Sequence, residues 1–141
     1  MRSLKCLSLL AAGLFSVVVA VGCGGEPKLQ TAQVTGTVTY KGELLKTGDV
    51  TFIPVVSGPA AMGTIGPDGK YTLQTAGQPG AVPGKYRVSI IAVEITPGSP
   101  EDPNAGARQL IPEKYGSDST SGLEREIVAG KENVIDFALE D

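Results

Sequence analysis

Acid–base and nucleophilic chemistry calls for side chains that this chain largely lacks. It contains no histidine and no tryptophan. Without histidine there is no imidazole general base, no Ser-His-Asp triad and no imidazole metal ligand. Serines and lysines are present, but no Ser and Lys fall in a recognisable nucleophile–base motif. Two carboxylate pairs are close in sequence, Glu101-Asp102 and Glu124 with Glu126. A tuned acid needs burial, and both pairs read as solvated: the first sits in a proline-rich stretch, the second on one exposed face of a strand. Glu101, Asp102 and Asn104, or Asp118 with its neighbouring hydroxyls, offer the oxygens that calcium prefers. Neither run matches an EF-hand loop, and Gly/Ser/Asp runs are ordinary turn chemistry. The residues therefore predict no catalytic group, no metal and no cofactor.

The one side chain whose setting implies a definite reaction is the thiol of Cys23. Arg2 and Lys5 precede an uncharged apolar run, Leu7–Val21, which ends in Ala20-Val21-Gly22-Cys23-Gly24-Gly25. A cationic start, a short apolar core and small residues at its end make an export signal. A cysteine directly after the small residues resembles the lipobox of bacterial lipoproteins, with Ala20 where such boxes usually carry Leu. The resemblance implies cleavage after Gly22, with Cys23 as the lipid attachment site and new N-terminus. An uncleaved span would need roughly 20 apolar residues, and this run is shorter and interrupted by Gly13. One acyl chain anchors marginally and two anchor firmly; a diacylglyceryl-cysteine carries two. Residues 1–22 thus read as signal peptide, 23–32 as a lipidated tether and 33–141 as one domain. The expected location is the cell envelope, exported and held to a membrane by the N-terminal lipid.

The rest of the composition narrows the domain's role. Cys6 falls in the signal and Cys23 is consumed by lipid, so the domain has no disulfide and no thiolate site. Of twelve basic and fifteen acidic residues, Arg2 and Lys5 leave with the signal, giving the retained chain a net charge of −5. That balance leaves no electrostatic footprint for nucleic acid and argues against an electrostatic grip on anionic headgroups. The retained aromatics are Tyr40, Phe52, Tyr71, Tyr86, Tyr115 and Phe137. All but Tyr115 sit in strands on the aliphatic face and read as core. Tyr115 stands in a long loop and is the candidate ligand contact, a platform on which a sugar could stack. Packing against the domain, with its hydroxyl bonded to backbone, is the competing reading.

The elements that would position these residues are strands. Glycine and proline separate short apolar runs throughout, which favours an all-β fold with many turns. Gln33–Tyr40 alternates Val34, Gly36, Val38 and Tyr40 against Thr35, Thr37 and Thr39, as a half-buried strand does. Gly36 leaves room for a neighbouring backbone or a bulge. After a turn at Lys41-Gly42, Leu44-Leu45 tuck under it, and Asp49–Ile53 forms a strand stopped by Pro54. Ala61–Ile65 and Lys70–Thr75, joined by Gly66-Pro67-Asp68-Gly69, predict a hairpin. Lys85–Ile95 is apolar on both sides: Tyr86, Val88 and Ile90 on one, Ile91, Val93 and Ile95 on the other. A switch of face or burial of both faces would account for it. In the long segment Thr96–Gly122, Glu101–Ala107 reads as exposed and Leu110–Tyr115 as packed. Leu123–Val128 and Asn133–Leu139 predict a closing hairpin around Ala129–Glu132. The total is about seven strands, the pattern of a sandwich.

Several of these pieces together resemble carboxypeptidase regulatory-like, transthyretin-like domains. The resemblance rests on Val34–Val38 with Lys41–Leu45 and Val50–Pro54, on Asp68–Leu73, and on Pro83–Val88. Pro112–Tyr115, Ser121–Leu123 and Gly130–Asn133 with Phe137 and Leu139 are similar to the tail of small lipoproteins bearing this domain. Leu44 departs from the proline common in the family. The resemblance implies a seven-stranded, prealbumin-like Greek-key β-sandwich that is not itself an enzyme. Relatives that hydrolyse 5-hydroxyisourate do so with histidines and a Tyr-Arg-Gly-Ser ending, whereas this chain ends Ala138-Leu139-Glu140-Asp141. The expected function is a non-catalytic, lipid-anchored envelope module that binds or spaces other envelope proteins. The alternative is an envelope glycan-binding module.

Overall fold

The computed structural model describes residues 28–97 and 106–141. They form a β-sandwich. Strand β1 (Val34–Tyr40) is the middle of one sheet. On one side it runs parallel to β12 (Asn133–Val134) and β13 (Phe137–Leu139); on the other it pairs antiparallel with β2 (Glu43–Leu44) and β5 (Lys70–Thr72). The second sheet has the order β11 (Leu123–Ile127), β8 (Gly84–Ile91), β3 (Asp49–Pro54), β4 (Ala61–Thr64), β6 (Gln74–Thr75), β7 (Gln78–Pro79). A two-stranded ribbon, β9 (Val93–Ile95) with β10 (Ala107–Gln109), extends beyond it.

The alternation read in β1 is the alternation observed. Val34, Gly36 and Val38 are buried and the three threonines are half-exposed, while Tyr40 at the strand end is only partly covered. Facing them from the second sheet are Val50, Phe52, Val88 and Ile90, all fully buried. Phe52 is the hub: its ring centroid lies 6.4 Å from Tyr71, 5.9 Å from Tyr86 and 6.0 Å from Phe137. Tilted and edge-on contacts of this kind add to the area each ring buries. Among the described residues, the buried hydrophobic cluster runs from Ala32 to Leu139.

Two expected hairpins are divided between the sheets. Lys70–Thr75 splits: Tyr71 pairs with Gly36 in the first sheet, whereas Gln74 pairs with Met62 in the second. Leu73 is the crossing point, with its N–H donated to the Val34 carbonyl at 3.0 Å and its side chain fully buried. A large side chain at 63 would block this passage, because a Cβ on Gly63 would stand 2.7 Å from the Thr72 carbonyl oxygen. The closing pair splits in the same way. β11 pairs with β8, and β12 and β13 pair with β1. The chain changes sheets at Ala129–Glu132 because Asn133 supplies side-chain bonds in place of a partner strand. Its Oδ1 accepts the Val128 N–H at 2.9 Å and its Nδ2 donates to the Val128 carbonyl at 3.1 Å. Its own backbone N–H goes to Gln33.

Lys85–Ile95 also differs from expectation. There is no switch of face, and double burial is confined to Ser89, buried between Val88 and Ile90. Tyr86, Val88, Ile90 and Ala92 point inward without a break in alternation, and Ile91 and Ile95 are left in solvent at 52% and 73% exposure. Leu45 tucks under its turn as expected, but Leu44 stays half-exposed.

Gly36 is used as its position suggested. A Cβ there would overlap the Ile135 carbonyl. The ladder between β1 and the C-terminal strand is interrupted at this point, between β12 and β13, without a change of register. The Ile135 carbonyl accepts the Tyr71 hydroxyl at 2.6 Å, and the Asp136 carboxylate accepts the Thr37 N–H at 2.8 Å. A side-chain oxygen thus accepts the Thr37 N–H while the Ile135 carbonyl is taken by Tyr71.

Candidate interaction surfaces

Strand register gives the sandwich two distinct poles. At one, residues 31–33 enter: the Thr31 hydroxyl donates to the Pro79 carbonyl at 2.8 Å, Ala32 bridges to Ala81, and Asn133 N–H reaches Gln33. β1, β8 and β12 start at this pole, and β3 and β11 end there. The opposite pole carries the Lys41-Gly42 turn, Asp49, Ile91, the β9–β10 ribbon and the C-terminal residues. Cys23 lies outside the described residues, as do Glu101, Asp102 and Asn104.

The segment from Leu110 to Gly122 builds the far pole. Leu110 donates its N–H to Ala92 at 3.0 Å, Ile111 is buried, and Glu113–Gly116 is a single 3-10 turn. Tyr115, the candidate ligand contact, points into the protein. It is 7% exposed, and its hydroxyl donates to the Glu140 carbonyl at 2.8 Å while accepting the Glu140 N–H at 3.1 Å. With its hydroxyl so engaged and its ring covered, Tyr115 offers no face for a sugar; it is an anchor for the loop and the C-terminal strand. Ser121 finishes the segment: its hydroxyl donates to the Val88 carbonyl at 2.5 Å and accepts the Leu123 N–H at 3.2 Å.

This packing leaves a groove of about 570 Å³ on the far pole. Ile91 forms its apolar side, and Gln109, Glu113, Lys114, Ser117 and Thr120 supply its polar rim. Ile95 stands exposed beyond it on the ribbon. The groove is open to solvent rather than enclosed. Sequence reasoning did not find this groove. The available signal was the outward apolar set Ile91 and Ile95 in a strand already supplied with an inward one.

Other recesses are shaped by turn chemistry. A shallow depression of about 730 Å³ follows the seam where the chain crosses from β5 to β6. Its carboxylates are committed locally: Asp49 accepts the Thr64 hydroxyl at 2.9 Å, and Asp68 accepts the Lys70 N–H at 3.2 Å within its turn. Glu124 and Glu126 are exposed on β11. Asp118 lies 3.5 Å from Arg87, a surface pair of small energetic weight. Among the described residues, no group of three or more Asp, Glu, His or Cys could hold a metal ion.

The strong electrostatic shifts belong to structural groups. Burial, followed by the Asp136 charge, raises the Tyr71 phenol well above the ordinary tyrosine range. Burial alone raises Tyr86. At the far pole the exposed Asp141 carboxylate is lowered, first by its bond to Lys41 and then by the Tyr40 hydroxyl. The buried polar side chains among the described residues are Thr75, Ser89, Ser121 and Asn133. None is a carboxylate, amine or thiol.

Comparison with known proteins adds little. No family model matches the chain and no curated protein matches it. Among solved structures it is similar to the dioxygenase domain of a dioxygenase carbohydrate-binding protein fusion from the cellulolytic bacterium Streptomyces sp. SirexAA-E. Identity is 18%, 80% of this chain and 81% of that chain are covered, and the TM-score is 0.37. So loose a superposition carries no information about chemistry. No helix among the described residues is long and apolar enough to cross a membrane.

Proposed function

We propose that the chain is a lipid-anchored, non-catalytic module of the cell envelope, kin to the carboxypeptidase regulatory-like domains, that docks another envelope protein through its far pole. The observation that carries this reading is polarity. The polypeptide leaves Cys23 and enters the sandwich at one end, while the apolar groove beside Ile91 and the exposed Ile95 lie at the other. An anchor at one end and a docking surface at the other is the arrangement of a spacer or adaptor. The glycan-binding alternative rested on Tyr115, whose ring is covered, so the protein-contact reading is the one supported here.

Two experiments test it. Replacing Cys23→Ser should move the protein from the membrane fraction to the soluble fraction; unchanged fractionation refutes the anchor. A photo-crosslinking residue placed at Ile95 or Gln109 in living cells should give a discrete protein adduct, and one at Lys70 on the seam should not. Ile91→Asp should remove the adduct. An adduct that persists in Ile91→Asp, or none at either far-pole position, refutes the docking role.

A further inference from the structure

The pole where the tether enters has an unexplained feature. Of the large hydrophobic side chains left exposed among the described residues, Val55, Val56, Val128 and Val134 are exposed by 50%, 73%, 44% and 67%, and all stand at this end. Val55 N–H is held by the Lys85 carbonyl at 2.9 Å, directly after β3 ends, and Lys85 is opposite Glu126 in β11. Val128 N–H is held by Asn133, whose backbone is bonded to Gln33. Val134 is in register with Thr35 at the start of β1. The backbones of Val55, Val128 and Val134 are thus held at strand ends, Val56 follows Val55 directly, and all four are branched aliphatics.

Chain length says what lies opposite them. Thr31 is pinned to Pro79 and lies eight positions after Cys23, a reach of at most about 29 Å when fully extended. A membrane holding a lipid on Cys23 is thus within reach of this pole, where the described chain enters the sandwich. Lys28, Lys85 and Lys131 are exposed here, but so are Glu126 and Glu132, so charge does not supply the attraction. We propose that this pole rests on the bilayer itself, with Val55, Val56 and Val128 seated at the boundary between headgroups and acyl chains. The contact rests on the anchoring reading above. It would hold the sandwich upright and direct the groove beside Ile91 away from the membrane. Apolar side chains entering that boundary bind in proportion to the area they bury, and a tether this short keeps them there.

The chain's lack of tryptophan makes the test direct. Val56→Trp, Val128→Trp and, at the opposite pole, Ile95→Trp each create a lone reporter in the full-length protein. Each variant is purified from cell membranes and reconstituted in phosphatidylcholine vesicles whose acyl chains carry bromine. The expected result is blue-shifted, bromine-quenched emission from Trp at 56 and 128, and unshifted emission at 95 that a water-soluble quencher reaches. Emission at 56 and 128 that stays solvent-like, or quenching at 95 instead, overturns the contact. Quenching seen only with anionic lipid and abolished by salt also overturns it, because the grip would then be electrostatic. Mass spectrometry of the N-terminal peptide separates the two proposals. An acylated Cys23 with unquenched reporters refutes the bilayer contact alone, whereas an unmodified Cys23 refutes the anchor and the contact together.

Discussion

Gly36→Ala would test the packing that joins β1, β5 and the C-terminal strand. Gly36 is not among the glycines with positive φ, so its backbone accepts alanine and the obstacle is space alone. The added methyl would overlap the Ile135 carbonyl and come within 2.8 Å of the Tyr71 ring. Two rigid groups must move apart, and they are the two partners of the buried Tyr71–Ile135 hydrogen bond. Overpacking of this kind costs about 1–3 kcal/mol, and leaving a buried carbonyl unpaired costs about 1–3 kcal/mol more. Replacing glycine returns about 0.4–1 kcal/mol through the unfolded state. The net expectation is a loss of about 3 kcal/mol, a large share of a stability of about 5–15 kcal/mol. Urea denaturation of the domain should show the midpoint falling by roughly 2 M at an m-value of about 1.5 kcal/mol/M. Tyr71→Phe removes only the hydroxyl and should cost about 1–3 kcal/mol. Because both changes act on the same carbonyl, the double variant should lose less than the two single losses combined. A Gly36→Ala midpoint within about 0.3 M of the parent, or strict additivity with Tyr71→Phe, would refute this account of the packing at Gly36.

Asn133→Ala should destabilise the domain by about 2–3 kcal/mol, since one buried side chain bonds Val128 N–H and the Val128, Lys131 and Gln33 carbonyls; a loss below about 0.5 kcal/mol in urea would mean that water replaces it freely. Alkaline pH should unfold the protein, and the sign follows from the phenols. Burial raises Tyr71 and Tyr86 in the folded state, whereas an unfolded tyrosine ionises near pH 10. Below about pH 10 both states keep these protons and stability is unaffected by them; above it the unfolded chain releases them first and stability falls. Thermal midpoints measured between about pH 8 and pH 11 should therefore drop more steeply in the parent than in Tyr71→Phe, and equal slopes would contradict the assignment.

Much was legible from local pattern. Export and lipid attachment are expectations from a linear motif, which needs no folded neighbour, and lie outside the described residues. The threonine and valine alternation of Val34–Tyr40, and the inward Ile135, Phe137 and Leu139, were read from period-2 spacing, and all three of the latter are buried. Leu110–Tyr115 was recognised as packed because apolar residues in a loop must find cover. The space left by Gly36 was also visible, although not that a carbonyl would fill it.

What sequence could not decide was pairing. Alternation states that a residue faces the core, but both sheets share that core. Whether Gln74 joins Met62 or Tyr71 joins Gly36 depends on long-range register, and in this chain both happen within one run. The turn at Ala129–Glu132 is similar: nothing local says that the Asn133 side chain will stand in for a strand and send the chain to the other sheet. The same limit hid the surfaces. Ile91, Ile95, Val55, Val56 and Val128 are ordinary strand-like residues in the sequence; only the closed sandwich, with its interior already filled, leaves them outside and sorts them to opposite ends. Composition and spacing determined the class of fold, the exclusion of histidine chemistry and the expected anchor. Tertiary packing alone decided which side chains remained exposed, because that depends on how much apolar volume the two sheets can enclose.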